Sequence, residues 1–109
     1  MKAKYYDYFR LDQCKKALKE FDGSGDIDIV VNGKEISLAF QSYDDNNDKL
    51  VSVVFKGKEV LEGHFDLYED KKPSNRLILH SLDRIIFEGS WAIDGWIGMT
   101  RIISEQPIK

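Results

Sequence analysis

The sequence predicts a mainly β fold with α+β character only at its N-terminus. One N-terminal helix packs on a strongly coiled antiparallel sheet, or small barrel, of about seven strands in largely meander order. Three observations lead there. From Asp26 onward the apolar residues recur with a period of two. Two dipeptides suited to tight hairpins, Asn32-Gly33 and Asp94-Gly95, sit between such alternating runs. Helical spacing occurs only before Asp26. A length of 109 residues fits a single domain over the whole chain, 1–109. Its N-terminal segment is 1–25 and its β meander 26–104.

In the N-terminal segment, Leu11, Cys14, Leu18 and Phe21 recur at steps of three and four, with Ala17 beside them. Asp12 suits the N-cap and Gly23 the C-terminal stop, while Lys15, Lys16 and Lys19 take the water side. The preceding YYDYF fits either a backward extension of this helix or a short strand. Next, DIDIVVNGKEISLAF reads as a hairpin around Asn32-Gly33, pairing Val31 with Lys34, Ile29 with Ile36 and Ile27 with Leu38. After the polar loop QSYDDNNDK, the runs LVSVVF and VLEGHFDLY form a second hairpin, with Gly57-Lys58 as its turn. RLILH returns after the loop EDKKPSN, and SLD makes a turn.

The last hairpin, RIIFEGSWAI with WIGMTRIIS, turns at Asp94-Gly95. Trp91 then faces Gly98, Gly89 faces Thr100, and Phe87 faces Ile102. On the opposite face Ser90 meets Met99, and Glu88 meets Arg101 with opposite charge. Gly98 leaves room for the Trp91 indole to lie across the neighbouring strand. Gly89 marks a bend where the sheet coils.

Composition narrows the function classes. Hydrophobic residues are 42% and charged residues 32%, as in an ordinary globular protein. Net charge is -3, and no run of Lys or Arg exceeds two, so no nucleic-acid partner is expected. Cys14 is the only cysteine, which rules out an internal disulfide and a CxxC-type metal knuckle and fits a reducing compartment. MKAKYYDYFRLDQ has no apolar core of a signal peptide, and no apolar run reaches the length of a membrane span. These features predict a cytoplasmic protein without a membrane partner, unless a leader has been removed.

Aromatics at strand spacing usually form core. Phe87, Trp91 and Trp96 also suit the lining of a ligand cavity, as in small barrels that hold one ligand. The short strands with FEGSW followed by Gly95 and Gly98 resemble calycin-type barrels, the lipocalin-like and avidin-like proteins. The likeness covers little more than this hairpin. Lipocalins carry Gly-x-Trp on the first strand, whereas Gly89-Ser90-Trp91 lies near the C-terminus. The resemblance implies a barrel architecture and, through it, a carrier for a small apolar ligand.

A second constellation is His64 and His80, the only histidines. A loop symmetric about Lys72 sets them opposite each other on adjacent strands. Asp66 and Glu62 flank His64 on the same face, and His-x-Asp with a distant His is similar to a two-histidine, one-carboxylate metal site. Gly63 stands where a cupin motif would need a histidine. Two protein ligands plus one carboxylate that the spacing does not fix fall below the usual ligand count, so no cofactor is expected, with a divalent metal at His64, His80 and Asp66 as the minor alternative. YDDNNDK begins like a calcium loop, but Lys49 and Phe55 occupy the positions that need Gly and Glu. No nucleophile elbow or glycine-rich phosphate loop is present, which argues against an enzyme.

With the turn at Gly57-Lys58, Val51, Val53, Phe55, Val60 and His64 share a face that Ile78, His80 and Leu82 continue. Leu50, Val54, Leu61 and Phe65 share the other. A sheet apolar on both sides needs a cover on each. The expected function is therefore a small acidic, non-enzymatic protein-interaction module. It would meet a protein partner, or a second copy as a homodimer, through Val51, Val53, Phe55 and Ile78. The alternative is a small-ligand carrier with a calycin-like cavity, and the third reading is a metal-dependent enzyme at His64 and His80.

Overall fold

A computed structural model describes residues 1–11, 23–44 and 47–108. They form a closed barrel of eight antiparallel strands. The strands are β1 (Lys2–Leu11), β2 (Gly23–Asn32), β3 (Glu35–Asp44), β4 (Lys49–Leu61), β5 (His64–Glu69), β6 (Arg76–His80), β7 (Ile86–Ile93) and β8 (Trp96–Ser104). Each pairs with its neighbour in sequence, and β8 closes the ring on β1. Closure leaves no sheet edge unpaired.

The eighth strand comes from the N-terminus. In β1, Ala3 is buried and Tyr5 and Asp7 half-buried, while Lys2, Lys4 and Tyr6 are exposed. That period of two settles YYDYF as strand. No helix occurs among the described residues, so the expected N-terminal helix is not borne out there. Leu11, the first residue of its apolar stripe, ends β1. The rest of that stripe, including Cys14, Leu18 and Phe21, lies outside the described residues.

Two of the expected turns move. In the β2–β3 hairpin, Val31 pairs with Ile36 and Asn32 with Glu35, so Gly33-Lys34 is the turn rather than Asn32-Gly33. Gly33 takes a positive φ of 63° and Asn32 does not, which fits the turn type with glycine first. The slip is by an even number, so Ile27, Ile29, Ile36 and Leu38 still share the buried face. The second change matters more. β4 runs straight through Gly57-Lys58, and the chain turns at Glu62-Gly63, where Gly63 has a φ of 76°. Gly57 instead permits close approach of strands, because a Cβ there would overlap the backbone carbonyl of Asp66.

Moving that turn changes which residues face inward. Phe55 and Phe65 both enter the core. Val53 packs against them, and Val51 alternates onto the same inner side. Val60 lies at a register shift and is exposed, as is Leu82, while Ile78 sits half-buried between the inward Leu77 and Leu79. The expected two-sided apolar sheet therefore resolves into the inner wall of a barrel plus scattered outer residues. The last hairpin keeps its expected register throughout, from Ile93 opposite Trp96 to Phe87 opposite Ile102. Asp94 and Gly95 both take positive φ.

The core fills one end of the barrel. Phe55, Phe65, Phe87, Leu38, Leu67, Leu79 and Ile102 are almost fully buried, and Phe65 meets Phe87 edge-on at 5.5 Å. The C-terminal segment seals this end. Ile108 is buried, its N–H donates to the Arg84 carbonyl at 2.9 Å, and Arg84 Nε donates to the Ile108 carbonyl at 2.6 Å. The Arg84 guanidinium also pairs with Glu59 at 2.8 Å and lies over the Phe65 ring. At the opposite end, called the loop end below, β1, β3, β5 and β7 finish and β2, β4, β6 and β8 begin.

Candidate functional site

On β1, β3, β4 and β7 the inner residues become less buried toward the loop end, while Leu67 and Leu77 on β5 and β6 stay buried there. Tyr5, Asp7, Phe40, Val53 and Trp91 all point inward, and all are half-buried. Two cross-strand glycines make this arrangement fit. Trp91 faces Gly98, where a Cβ would overlap the indole, so the ring lies flat across β8. Tyr5 faces Gly25, where a Cβ would come within 2.9 Å of the phenol. Aromatics laid over glycine shield the bare backbone and fix their own direction. Tyr5 and Phe40 then meet at 5.5 Å, and Phe40 stacks on Phe55 at 6.1 Å, which joins this layer to the core.

Among the described residues, Asp7 is the one carboxylate placed inside this aromatic layer. Trp91 Nε1 donates to its Oδ1 at 3.3 Å, and Thr100, opposite Asp7 on β8, sets its hydroxyl beside the carboxylate while donating to the Tyr6 carbonyl at 3.4 Å. Burial pushes the Asp7 carboxyl above its ordinary value, and these hydrogen bonds and the Arg10 charge only partly offset that rise. Burial, with the charge of Asp7, also raises the Tyr5 phenol. Arg10 sits 4.0 Å above the Trp96 ring, a cation–π contact that holds Trp96 at the rim. Asn75, buried in the β5–β6 connection, accepts from the Asp94 N–H at 3.0 Å and donates to its carboxylate at 3.3 Å. That pair ties two of the four loops together.

No protein-family model, curated protein or solved structure matches this chain. The closed meander agrees with the barrel architecture that the likeness to calycin-type proteins implied.

The expected ligand-lining residues separate. Phe87 is 1% exposed and belongs to the sealed core, Trp91 lies beside Asp7, and Trp96 lies under Arg10. Of the expected partner-contacting residues, Val51, Val53 and Phe55 face the barrel interior, and Ile78 lies on the outer wall. The four do not form one surface.

The histidines do come together. His64 and His80 are directly opposite on β5 and β6, both exposed, with Nδ1 atoms 2.6 Å apart and rings edge-on at 4.7 Å. Asp66 does not join them. Both of its oxygens are held by Arg76, at 2.9 and 2.8 Å, and those bonds hold its carboxyl below the usual range. Among the described residues no group of three His, Cys, Asp or Glu is gathered as a metal site. The residue opposite His80 on its other side is Glu88, now paired with Arg101.

Sequence reasoning missed Asp7, Thr100 and Glu88. Asp7 was hidden because its strand was undecided. Read as a strand from Ala3, the alternation Ala3, Tyr5, Asp7 would have pointed the carboxylate inward. Glu88 stood in the sequence only as the partner of Arg101, and its place opposite His80 comes from the register of β6 on β7.

Proposed function

We propose that the protein is a non-enzymatic carrier of a small ligand, taken up at the loop end of the barrel. The ligand would have an apolar body and one hydrogen-bond donor directed at Asp7. The observation that carries this reading is the inward carboxylate of Asp7, the only one among the described residues set with Tyr5, Phe40 and Trp91 toward the loop end. Small-molecule sites typically combine an apolar and aromatic lining with a few placed polar groups, and mouths of β-barrels are a recurrent place for them. The protein-interaction reading loses its first motive, because Val51, Val53 and Phe55 face inward.

Tryptophan emission tests the proposal. In a Trp96→Phe protein, Trp91 is the only tryptophan, and excitation at its red edge isolates its emission from the tyrosines. Titration with small apolar alcohols and amines should shift or quench that emission and saturate. A flat response across such a panel, in a protein that keeps its fold, overturns the carrier reading.

Contact with a second copy is the second reading. Tyr6 and Tyr8 on β1, and Ile97 and Met99 on β8, are all exposed on neighbouring strands and favour it. Sedimentation over a hundredfold concentration range decides it, and a monomer throughout would remove it.

A further inference from the structure

We propose that His64, His80 and Glu88 form a binding site for a late first-row divalent transition ion, Cu²⁺ more tightly than Zn²⁺, on the outer wall of the barrel. The three residues occupy one row across three neighbouring strands, His64 opposite His80 and His80 opposite Glu88. Directly opposed residues of an antiparallel pair have Cβ atoms about 4.5–5.5 Å apart, so His80 stands within side-chain reach of both His64 and Glu88.

The two imidazoles already converge. Their Nδ1 atoms are 2.6 Å apart, so one ring must donate a proton and the other accept it. A metal takes the place of that proton. With metal–nitrogen bonds of about 2.0–2.1 Å, the two nitrogens need to part by only several tenths of an ångström. Both rings are exposed, so they can rotate without disturbing the core. Among the described residues neither ring is hydrogen-bonded to the backbone, and the pair lines a shallow depression together with Glu62, Ser81 and Glu88.

The third ligand needs one exchange. Glu88 now holds Arg101 through contacts of 2.6 and 2.8 Å. Both side chains are about half exposed, at 50% and 51%. An ion pair so open to water is weak and can be exchanged for a metal ligand. Asp66 is excluded, because its guanidinium partner takes both oxygens. Two imidazoles and one carboxylate with water in the remaining positions suit copper, nickel, zinc or ferrous ions, and the general affinity order puts copper first. Calcium and magnesium prefer all-oxygen sites and should not compete.

The test uses the full chain with Cys14→Ser, which removes the only thiol from consideration. Calorimetric titration with Cu²⁺ and with Zn²⁺ should each give one equivalent, and the Cu²⁺ complex should show hyperfine coupling to two nitrogens in its electron paramagnetic resonance spectrum. His64→Ala and His80→Ala should each weaken Cu²⁺ at least ~100-fold, and Glu88→Gln about 10-fold, the size typical of losing a supporting metal partner. Circular dichroism should show all variants folded, since the three side chains are exposed. Unchanged Cu²⁺ affinity in either histidine variant, or coupling to a single nitrogen, overturns the site. Unchanged affinity in Glu88→Gln removes the carboxylate from it.

Discussion

Trp91 and Gly98 show how one missing Cβ can set the inside of a barrel. The indole lies where a side chain on Gly98 would be, and from there its Nε1 reaches Asp7 at 3.3 Å. Gly98→Ala should displace the ring and destabilise the protein by about 1–3 kcal/mol, as overpacking in an ordered interior does. Chemical denaturation measures the loss, and a red shift of the Trp91 emission should accompany it. Asp7 itself should respond to pH in the sense opposite to most paired carboxylates. Its pKa is raised on folding, so the folded state holds the proton more tightly than the unfolded state. Stability therefore rises as pH falls from above the folded pKa toward the unfolded one. Asp7→Asn, which keeps an oxygen for Trp91, should raise the melting temperature at pH 7 and lose that advantage in acid. Melting curves at several pH values check the sign. A variant less stable than wild type at pH 7 would mean that the hydrogen bonds outweigh burial.

At the level of elements, the glycines separate what the sequence disclosed from what it hid. Asp94-Gly95 was legible as a turn because both residues suit positive φ, and the strands around it then followed in register. Gly57-Lys58 looked equally turn-like by composition. What decides it is the approach of the Asp66 carbonyl across the ladder, a tertiary fact with no local signature. Gly57→Ala should thus cost more than a turn substitution, about 3 kcal/mol or more, and should broaden the amide resonances of β4 and β5. A loss under roughly 0.5 kcal/mol would contradict the close approach. The His64–His80 pairing was legible from loop symmetry alone, because the residues between the two runs divide evenly about Lys72. Its carboxylate neighbour was not, since choosing Glu88 over Asp66 depends on which acid Arg76 occupies. β1 stayed undecided because its period of two is carried by Tyr and Asp, which suit several environments.

The whole molecule has two unlike ends, and the proposed function depends on that difference. One end is closed by the C-terminal segment, with Ile108 buried and Arg84 bonded to both the Ile108 carbonyl and Glu59. Ile108→Ala should cost about 2–5 kcal/mol, the range for truncating a buried aliphatic side chain. It should leave ligand uptake intact, provided the protein remains folded, and a joint loss of stability and binding would place the ligand at the wrong end. At the other end the interior is aromatic, half-buried and carries Asp7. The most direct test maps a bound ligand onto the barrel by amide chemical shifts, with ¹⁵N-labelled protein and a small apolar amine or alcohol that alters Trp91 emission. Saturable shifts are expected at Tyr5, Asp7, Phe40, Val53 and Trp91, with Arg84 and Ile108 unmoved. Shifts centred on Arg84 and Ile108, or confined to outer residues such as Tyr6 and Met99, would contradict it.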